Sequence, residues 1–311
     1  MTETVEVVFL GTAASLPQKN RKQSCTTIKF KDYTLIIDMG ESAQNLIREY
    51  QIKTSNKLFI LLTHLHADHT IGLIGFLSSR NLLKINSKVT VIGPPGTRRF
   101  FYFMFLSFNF LPKFELEIIE TEGEIILNNL DFSIKSFPVK HSSPFNLGYK
   151  ITFYPSSIAT FNPEKAEKKG IPKGVLWKKL QDGFPIEVDG KKILPSEILE
   201  PKISKEIQIT FSGDTRPCET LVENAREVDL LVCDATYPEE CEDRAKEFLH
   251  STIEEAAIVA QKANCKQVVF THFSEFYTDF ESSLEKAKAI FENSSLAEEG
   301  KRIILDYTSN L

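Results

Sequence analysis

The chain has 311 residues, 42% of them hydrophobic, and a formal net charge of −5. Its length and apolar content suit one large α/β domain or two smaller ones, and the acidic balance excludes a protein that coats nucleic acid indiscriminately, although a global sum can hide a local basic patch. Five cysteines (Cys25, Cys218, Cys233, Cys241, Cys265) without a C-x-x-C pair indicate neither a disulfide framework nor a cysteine zinc site. The start shows no basic segment followed by an apolar run, and residues 100–111 are too short and interrupted to span a bilayer. A cytoplasmic location without membrane attachment is therefore expected.

Short β-rich runs alternate with helical periodicity. Residues 5–10, 26–30 and 34–38 read as strands and 42–50 as a helix. Residues 57–63 form a buried strand, 69–79 a helix, and 88–92 a strand ended by Gly93-Pro94-Pro95-Gly96. The aromatic segment Phe100, Phe101, Tyr102, Phe103, Phe105, Phe108 and Phe110 is expected to be a helix and following turn packed into the core, with a subunit interface as the alternative. Strands follow at 115–120, 132–140 and 147–153. From 154 to 205 the alternation fades and Pro, Gly and Lys become frequent, as in an insertion. The pattern then resumes with strands at 207–211, 229–233, 267–271 and 302–306 and helices at 220–227, 252–263 and 280–293. One domain, 1–153 with 206–311, is thus interrupted by an arm at 154–205.

Between positions 163 and 180 six lysines (Lys165, Lys168, Lys169, Lys173, Lys178, Lys179) face two glutamates, and Trp177, the only tryptophan, stands among them. Such a run is most often an ordinary solvated surface. With an aromatic present, it can also grip a phosphate backbone and stack on a base.

Three of the six histidines fall within His64-Leu65-His66-Ala67-Asp68-His69, directly after the buried strand at 57–63. Imidazole and carboxylate at the end of a strand make a transition-metal site. A mononuclear zinc site needs three protein ligands and a water, so four candidates here plus distant ones suit two cations better. Asp214, in Phe211-Ser212-Gly213-Asp214-Thr215, is the natural bridging carboxylate, because its small neighbours let the backbone turn sharply after a strand. His141 and His272, each following a strand, can complete the two sites.

In these motifs the chain resembles the metallo-β-lactamase superfamily, an α/β fold built as an αββα sandwich with metals at one edge. Over essentially its full length it resembles the short form of the ribonuclease Z family, the tRNA 3′-processing endonucleases. The specific matches are Ser212-Gly213-Asp214-Thr215-Arg216-Pro217, His250-Ser251-Thr252, Leu147-Gly148-Tyr149, the loop Pro17-Gln18-Lys19-Asn20-Arg21 and, in the inserted protruding arm, Gly170-Ile171-Pro172-Lys173-Gly174. The resemblance implies two Zn²⁺ per subunit, one on His64, His66 and His141, the other on Asp68, His69 and His272, with Asp214 bridging. It makes His250 a catalytic residue oriented by Asp234, and places Asp38 behind the metal loop. It further implies precursor tRNA as substrate and a homodimer in which one subunit's arm serves a substrate docked on the other. Lys19, Arg21, Lys173, Trp177, Lys178 and Lys179 are the expected substrate contacts, with Lys22 beside them. The chain departs from the family pattern at Cys233-Asp234-Ala235-Thr236, where most relatives have His-Glu-Ala-Thr, at Arg21-Lys22 instead of Arg-Asn, and at Gly174-Val175 instead of Gly-Pro.

The implied reaction is phosphodiester hydrolysis by a water that the two cations activate at neutral pH. Asp68 would orient that water and take its proton, and His250 would stabilise or protonate the departing ribose 3′-oxygen. The tRNA keeps a 3′-hydroxyl and the trailer a 5′-phosphate. The alternatives are a metal-dependent small-molecule phosphodiesterase or other hydrolase of the same fold and, from another class, a silent RNA-binding relative. The latter would have lost ligands, and all seven are present.

Overall fold

The computed structural model of the chain describes residues 3–123, 125–129, 131–155, 160–181, 185–188, 190–200, 206–277 and 279–307. They form two compact units, residues 1–153 with 207–311, and 154–206.

Alternation of apolar side chains builds the first unit. In the strand Thr4–Gly11, Val5, Val7 and Phe9 enter one hydrophobic cluster and Val8 and Leu10 another, as a period of two requires. Strand Lys57–Leu61 repeats the division, with Phe59 and Leu61 on one side and Leu58 and Ile60 on the other. Among the described residues two seven-stranded sheets result. The first runs Arg302–Asp306, Thr4–Gly11, Cys25–Phe30, Tyr33–Ile37, Lys57–Leu61, Val89–Gly93, Leu116–Glu120, the last four parallel. The second runs Ser294–Leu296, Val268–Thr271, Leu230–Asp234, Ile207–Phe211, Leu147–Phe153, Phe132–Pro138, Ile125–Asn128, the first four parallel. Helices Ala43–Glu49, Gly72–Leu82 and Thr97–Ser107 cover the far face of the first sheet, and Glu219–Asn224, Ile253–Ala263 and Glu281–Ile290 pack on the second. The result is a layered helix–sheet–sheet–helix sandwich.

Aromatic pairs join the two sheets. Phe30 meets Phe153 at 5.0 Å between ring centroids and Tyr33 meets Phe132 at 4.9 Å, both edge-on; such pairs add about 0.5–1.5 kcal/mol beyond burial. The Tyr149 hydroxyl donates to the Leu62 carbonyl at 2.7 Å. Gly148 beside it is required by space, since a Cβ there would stand 2.3 Å from the Phe137 ring.

The parallel strands deliver their carboxyl ends to one edge. Asp38 follows Tyr33–Ile37, His64 follows Lys57–Leu61, Asp214 follows Ile207–Phe211, Asp234 ends Leu230–Asp234, and His272 follows Val268–Thr271. Open α/β sheets bind their ligands at such carboxyl ends.

Two expectations are corrected here. The helix expected at 69–79 is a short turn, Ala67–Thr70, followed by Gly72–Leu82; the Gly72 amide donates to the Met39 carbonyl at 2.9 Å instead of continuing the preceding turn. The aromatic segment does form a helix, Thr97–Ser107, but only Phe101 and Met104 of its large apolar side chains are buried, while Tyr102, Phe103, Leu106 and Phe108 are 49–65% exposed. Apolar residues on every side of a helix cannot all face one sheet. The strands Ile125–Asn128 and Ser294–Leu296 and the helix Glu242–Phe248 have no counterpart in the expected elements.

The second unit has a small core of its own: Ala166, Ile171, Leu180, Ile186, Ile193 and Ile198 are buried together. Helices Pro163–Lys168 and Val175–Gln181 and the antiparallel pair Ile186–Val188 and Lys191–Ile193 supply them. Asn162 caps the first helix, accepting from the Lys165 amide at 2.9 Å, with Pro163 in the first turn.

Candidate metal centre

Seven side chains converge at the shared edge. His64, His66 and His141 form one group and Asp68, His69, Asp214 and His272 another, each with its candidate ligand atoms within 4.8 Å of one another. Asp214 lies between them: its Oδ2 is 3.7 Å from His64 Nε2, 3.9 Å from His141 Nε2, 3.2 Å from His69 Nε2 and 3.3 Å from His272 Nε2. Asp68 Oδ2 stands 3.5 Å from both His69 Nε2 and His272 Nε2. Two atoms bound to one tetrahedral zinc at its usual bond lengths are about 3.3 Å apart, so this spacing suits a cation between them. His69 Nε2 and His272 Nε2 are buried without a hydrogen-bond partner, and a buried polar atom left unpaired asks for an unseen ligand. The donor set therefore fits a dinuclear metal site.

Local backbone geometry explains how these residues get there. Gly213 turns the chain at φ +60°, and a Cβ on it would meet the Leu147 carbonyl at 2.8 Å and Thr63 Cβ at 3.0 Å. Asp38 (φ 57°) and His272 (φ 66°) are left-handed without being glycine, a conformation that costs about 1–3 kcal/mol and collects at functional sites.

Hydrogen bonds to the far ring nitrogens settle which nitrogen each histidine presents. A carboxylate only accepts, so His69 Nδ1 donates to Asp38 Oδ2 at 2.7 Å. His141 Nδ1 donates to the Leu249 carbonyl at 3.1 Å. The Thr63 hydroxyl donates to Asp38 Oδ2 at 2.8 Å and so accepts from His64 Nδ1 at 3.1 Å. Thr236 repeats the device, donating to Asp234 Oδ1 at 2.6 Å and accepting from His272 Nδ1 at 2.8 Å. In all four rings Nε2 is the nitrogen left to face the cluster. His66 differs, its Nδ1 lying 2.9 Å from His64 Nε2, and it is the exposed member of the set.

His250 stacks on His272 with centroids 5.1 Å apart, and its Nδ1 donates to Asp234 Oδ2 at 2.9 Å, leaving Nε2 as the other nitrogen. Burial opposes charge on this ring, but the adjacent Asp234 carboxylate outweighs it and the pKa is pushed up to about 9. Burial likewise opposes ionisation of Asp68 and Asp214, yet the surrounding imidazoles hold both well below the usual carboxylate range. Burial drives the His64 pKa well down, so that ring is neutral, the form in which imidazole binds metal.

The chain is 33% identical over 305 residues to the ribonuclease Z of Methanosarcina acetivorans, covering 97% of this chain and 99% of the relative. The chain belongs to the ribonuclease Z family. As a ribonuclease Z family member it is an endoribonuclease, a hydrolase of phosphodiester bonds. Two solved structures bear on the fold: the human tRNase Z short form (TM-score 0.69, 22% identity, 96% of this chain and 98% of that one) and the metallo-β-lactamase-fold protein YhfI of Bacillus subtilis (TM-score 0.70, 14% identity, 97% and 100%). The sandwich is thus the metallo-β-lactamase fold. The family described as anti-Pycsar protein Apyc1 also matches residues 5–101, the part that holds the histidine cluster.

The residues expected to touch substrate are less uniform than those of the ribonuclease Z metal loops. Lys19 is exposed. Arg21 is turned inward: its guanidinium donates to Thr12 Oγ1 at 3.1 Å and the Ala297 carbonyl at 3.2 Å and lies 4.5 Å from the Phe273 ring centroid. Its Nη1 thereby holds the loop. Trp177 has contacts within the arm. Its indole N–H donates to the Ile171 carbonyl at 3.0 Å, Phe161 packs on it at 4.8 Å, and the Lys173 ammonium covers it at 5.5 Å. Lys173 is paired with Glu167 at 2.8 Å, while Lys178 and Lys179 are exposed. Sequence reasoning missed Thr63 and Thr236, whose only signal is adjacency to His64 and to the Asp234 segment.

Proposed function

We propose that this chain is a zinc-dependent endoribonuclease of tRNA 3′ processing, removing the 3′ trailer from precursor tRNA. The observation that carries the reading is the convergence of His64, His66, His141, Asp68, His69 and His272 around the Asp214 carboxylate, with two buried imidazole nitrogens left unpaired. Five imidazoles and two carboxylates favour zinc; two ions per subunit would be held by His64, His66 and His141 and by Asp68, His69 and His272, with Asp214 available to both. Bound there, the cations would polarise the scissile phosphate and lower the pKa of the attacking water.

The chain's own residues supply the rest. Asp68 orients the water and accepts its proton. Water oxygen joins phosphorus as the bond from phosphorus to the ribose 3′-oxygen breaks, and His250 Nε2, with Asp234 anchoring the opposite nitrogen, delivers a proton to that oxygen. The products are a tRNA 3′-hydroxyl and a trailer 5′-phosphate. Lys178 and Lys179 of the arm, with Lys19 near the loop that Arg21 anchors, supply positive charge for the substrate backbone.

The enzyme works as a homodimer in the cytoplasm. Leu82, Leu83, Leu106, Phe108 and Leu111 are 63–82% exposed, and Asn81 Nδ2 donates to the Leu111 carbonyl at 2.8 Å; large apolar side chains this exposed are suited to burial between subunits. Among the described residues no helix is long and apolar enough to cross a membrane.

Incubation with end-labelled precursor tRNA, with and without chelator, and mapping of both new ends tests the reading. One metal-dependent cut that leaves the stated termini is expected. Full activity from a preparation without metal would overturn it.

A further inference from the structure

Arg216 is bound to three segments that carry the chemistry. It follows Asp214 by two residues, and its amide donates to the carbonyl of Lys140, the residue before His141, at 2.9 Å. Its Nη1 donates to the His250 carbonyl at 2.7 Å. Both of its Nη groups meet Glu255, Nη1 to Oε2 at 2.6 Å and Nη2 to Oε1, the two-pronged arrangement that fixes a guanidinium in direction as well as distance. Glu255 is itself fixed, because its Oε2 accepts from the Thr252 amide at 2.9 Å while its own amide donates to Thr252 Oγ1 at 3.2 Å, a capping box on helix Ile253–Ala263.

His250 needs such a support. It sits in a two-residue step between Leu249, left-handed at φ 58°, and the N-cap Thr252. Asp234 sets the tilt of its ring but not the position of its backbone. That position is held by Arg216 on the carbonyl, by Ser251 Oγ donating to the Thr215 carbonyl at 2.6 Å, and by the His250 amide on the Ala245 carbonyl at 2.9 Å. Leu249 next door carries the carbonyl that orients His141.

We infer that Arg216, held by Glu255, is a positioning residue that registers His250 against the wall carrying Asp214 and His141, and so sets the efficiency of proton delivery to the leaving 3′-oxygen. The inference rests on the proton-donor role proposed for His250. Arg216 touches no reacting atom and acts through that ring alone.

Single-turnover cleavage of precursor tRNA by R216A, R216K, H250A and the R216A/H250A double variant tests it, with KM and bound metal measured in parallel. R216A should lower kcat about 10- to 100-fold, the penalty of a displaced catalytic group, with KM and metal content near wild type. R216K, which keeps the charge but loses the fork, should recover part of the loss. The double variant should cleave no more slowly than H250A, because a residue acting through His250 has nothing to position once the imidazole is gone. Losses that multiply, or a drop in bound metal with R216A, would overturn the inference. Wild-type turnover by H250A would instead remove His250 from the chemistry, and the inference with it. If R216A does not fold, E255Q must show the same kcat-only loss and the same absence of addition to H250A.

Discussion

The sandwich and the arm solve different problems with different economies of residues. In the sandwich every metal-facing side chain except His66 is largely withdrawn from solvent, and four of the five metal-facing histidines are fixed by a hydroxyl, carboxylate or carbonyl on the far nitrogen. In the arm, six buried residues make the core and the lysines lie outside it. Metal chemistry depends on tenths of an ångström and tolerates no loose ligand. Attraction of a polyanion depends on summed charge and tolerates considerable disorder in where each charge sits. The proposed division is therefore chemistry in the sandwich and substrate capture in the arm.

The hardest test of that division is Asp214→Ala. The carboxylate lies within 3.9 Å of four imidazole nitrogens, so its loss should empty both cation positions and abolish cleavage, a larger effect than the about 10²–10⁴-fold that general acid–base catalysis contributes. Precursor tRNA binding, followed by a gel shift, should persist. If binding were lost as well, substrate capture would not be separable from the metal centre. His250→Ala ranks next. A fall in kcat of about 10²–10⁴-fold with metal content retained, measured by elemental analysis beside turnover, is the expected outcome, and normal turnover would exclude the imidazole from the reaction.

The same contrast explains what could be read from the amino-acid order. His64 through His69 announce themselves because so many metal-binding side chains in six positions have no simpler structural use, and Asp214 because Gly213 permits the turn that presents it. Thr63 and Thr236 stay hidden: a threonine hydroxyl becomes a relay between carboxylate and imidazole only after folding brings Asp38 to His64 and Asp234 to His272. The surroundings of Arg21 and Trp177 stay hidden for a related reason. A basic or aromatic residue in a polar segment reads the same whether its end group faces water or, as here, lies over Phe273 or bonds the Ile171 carbonyl. The helix Thr97–Ser107 shows the limit of composition, since its aromatic content said "core" while only one stripe could reach the sheet.

A smaller effect is expected from the arm lysines. Lys178→Ala with Lys179→Ala should raise KM for precursor tRNA with little change in kcat, and the slope of log affinity against log salt should become shallower by about one for each phosphate contact removed. A change in kcat with an unaltered salt slope would place these lysines in the chemistry and break the division.

The smallest effect concerns Trp177, and it separates a structural indole from a stacking one. Because the chain has a single tryptophan, its fluorescence reports that ring alone. With Phe161 on the indole at 4.8 Å and the Lys173 ammonium over it at 5.5 Å, neither neighbour has to leave for a backbone phosphate to approach the exposed lysines. Saturating precursor tRNA should therefore leave the emission maximum where it is. A base that displaced Lys173 and stacked on the ring would instead quench it strongly. Trp177→Phe keeps most of the packing and forfeits the N–H bond to the Ile171 carbonyl, worth about 1 kcal/mol. It should lower stability slightly, seen in chemical denaturation, and leave KM nearly unchanged. A KM effect as large as that of the lysine pair would return the ring to the binding surface.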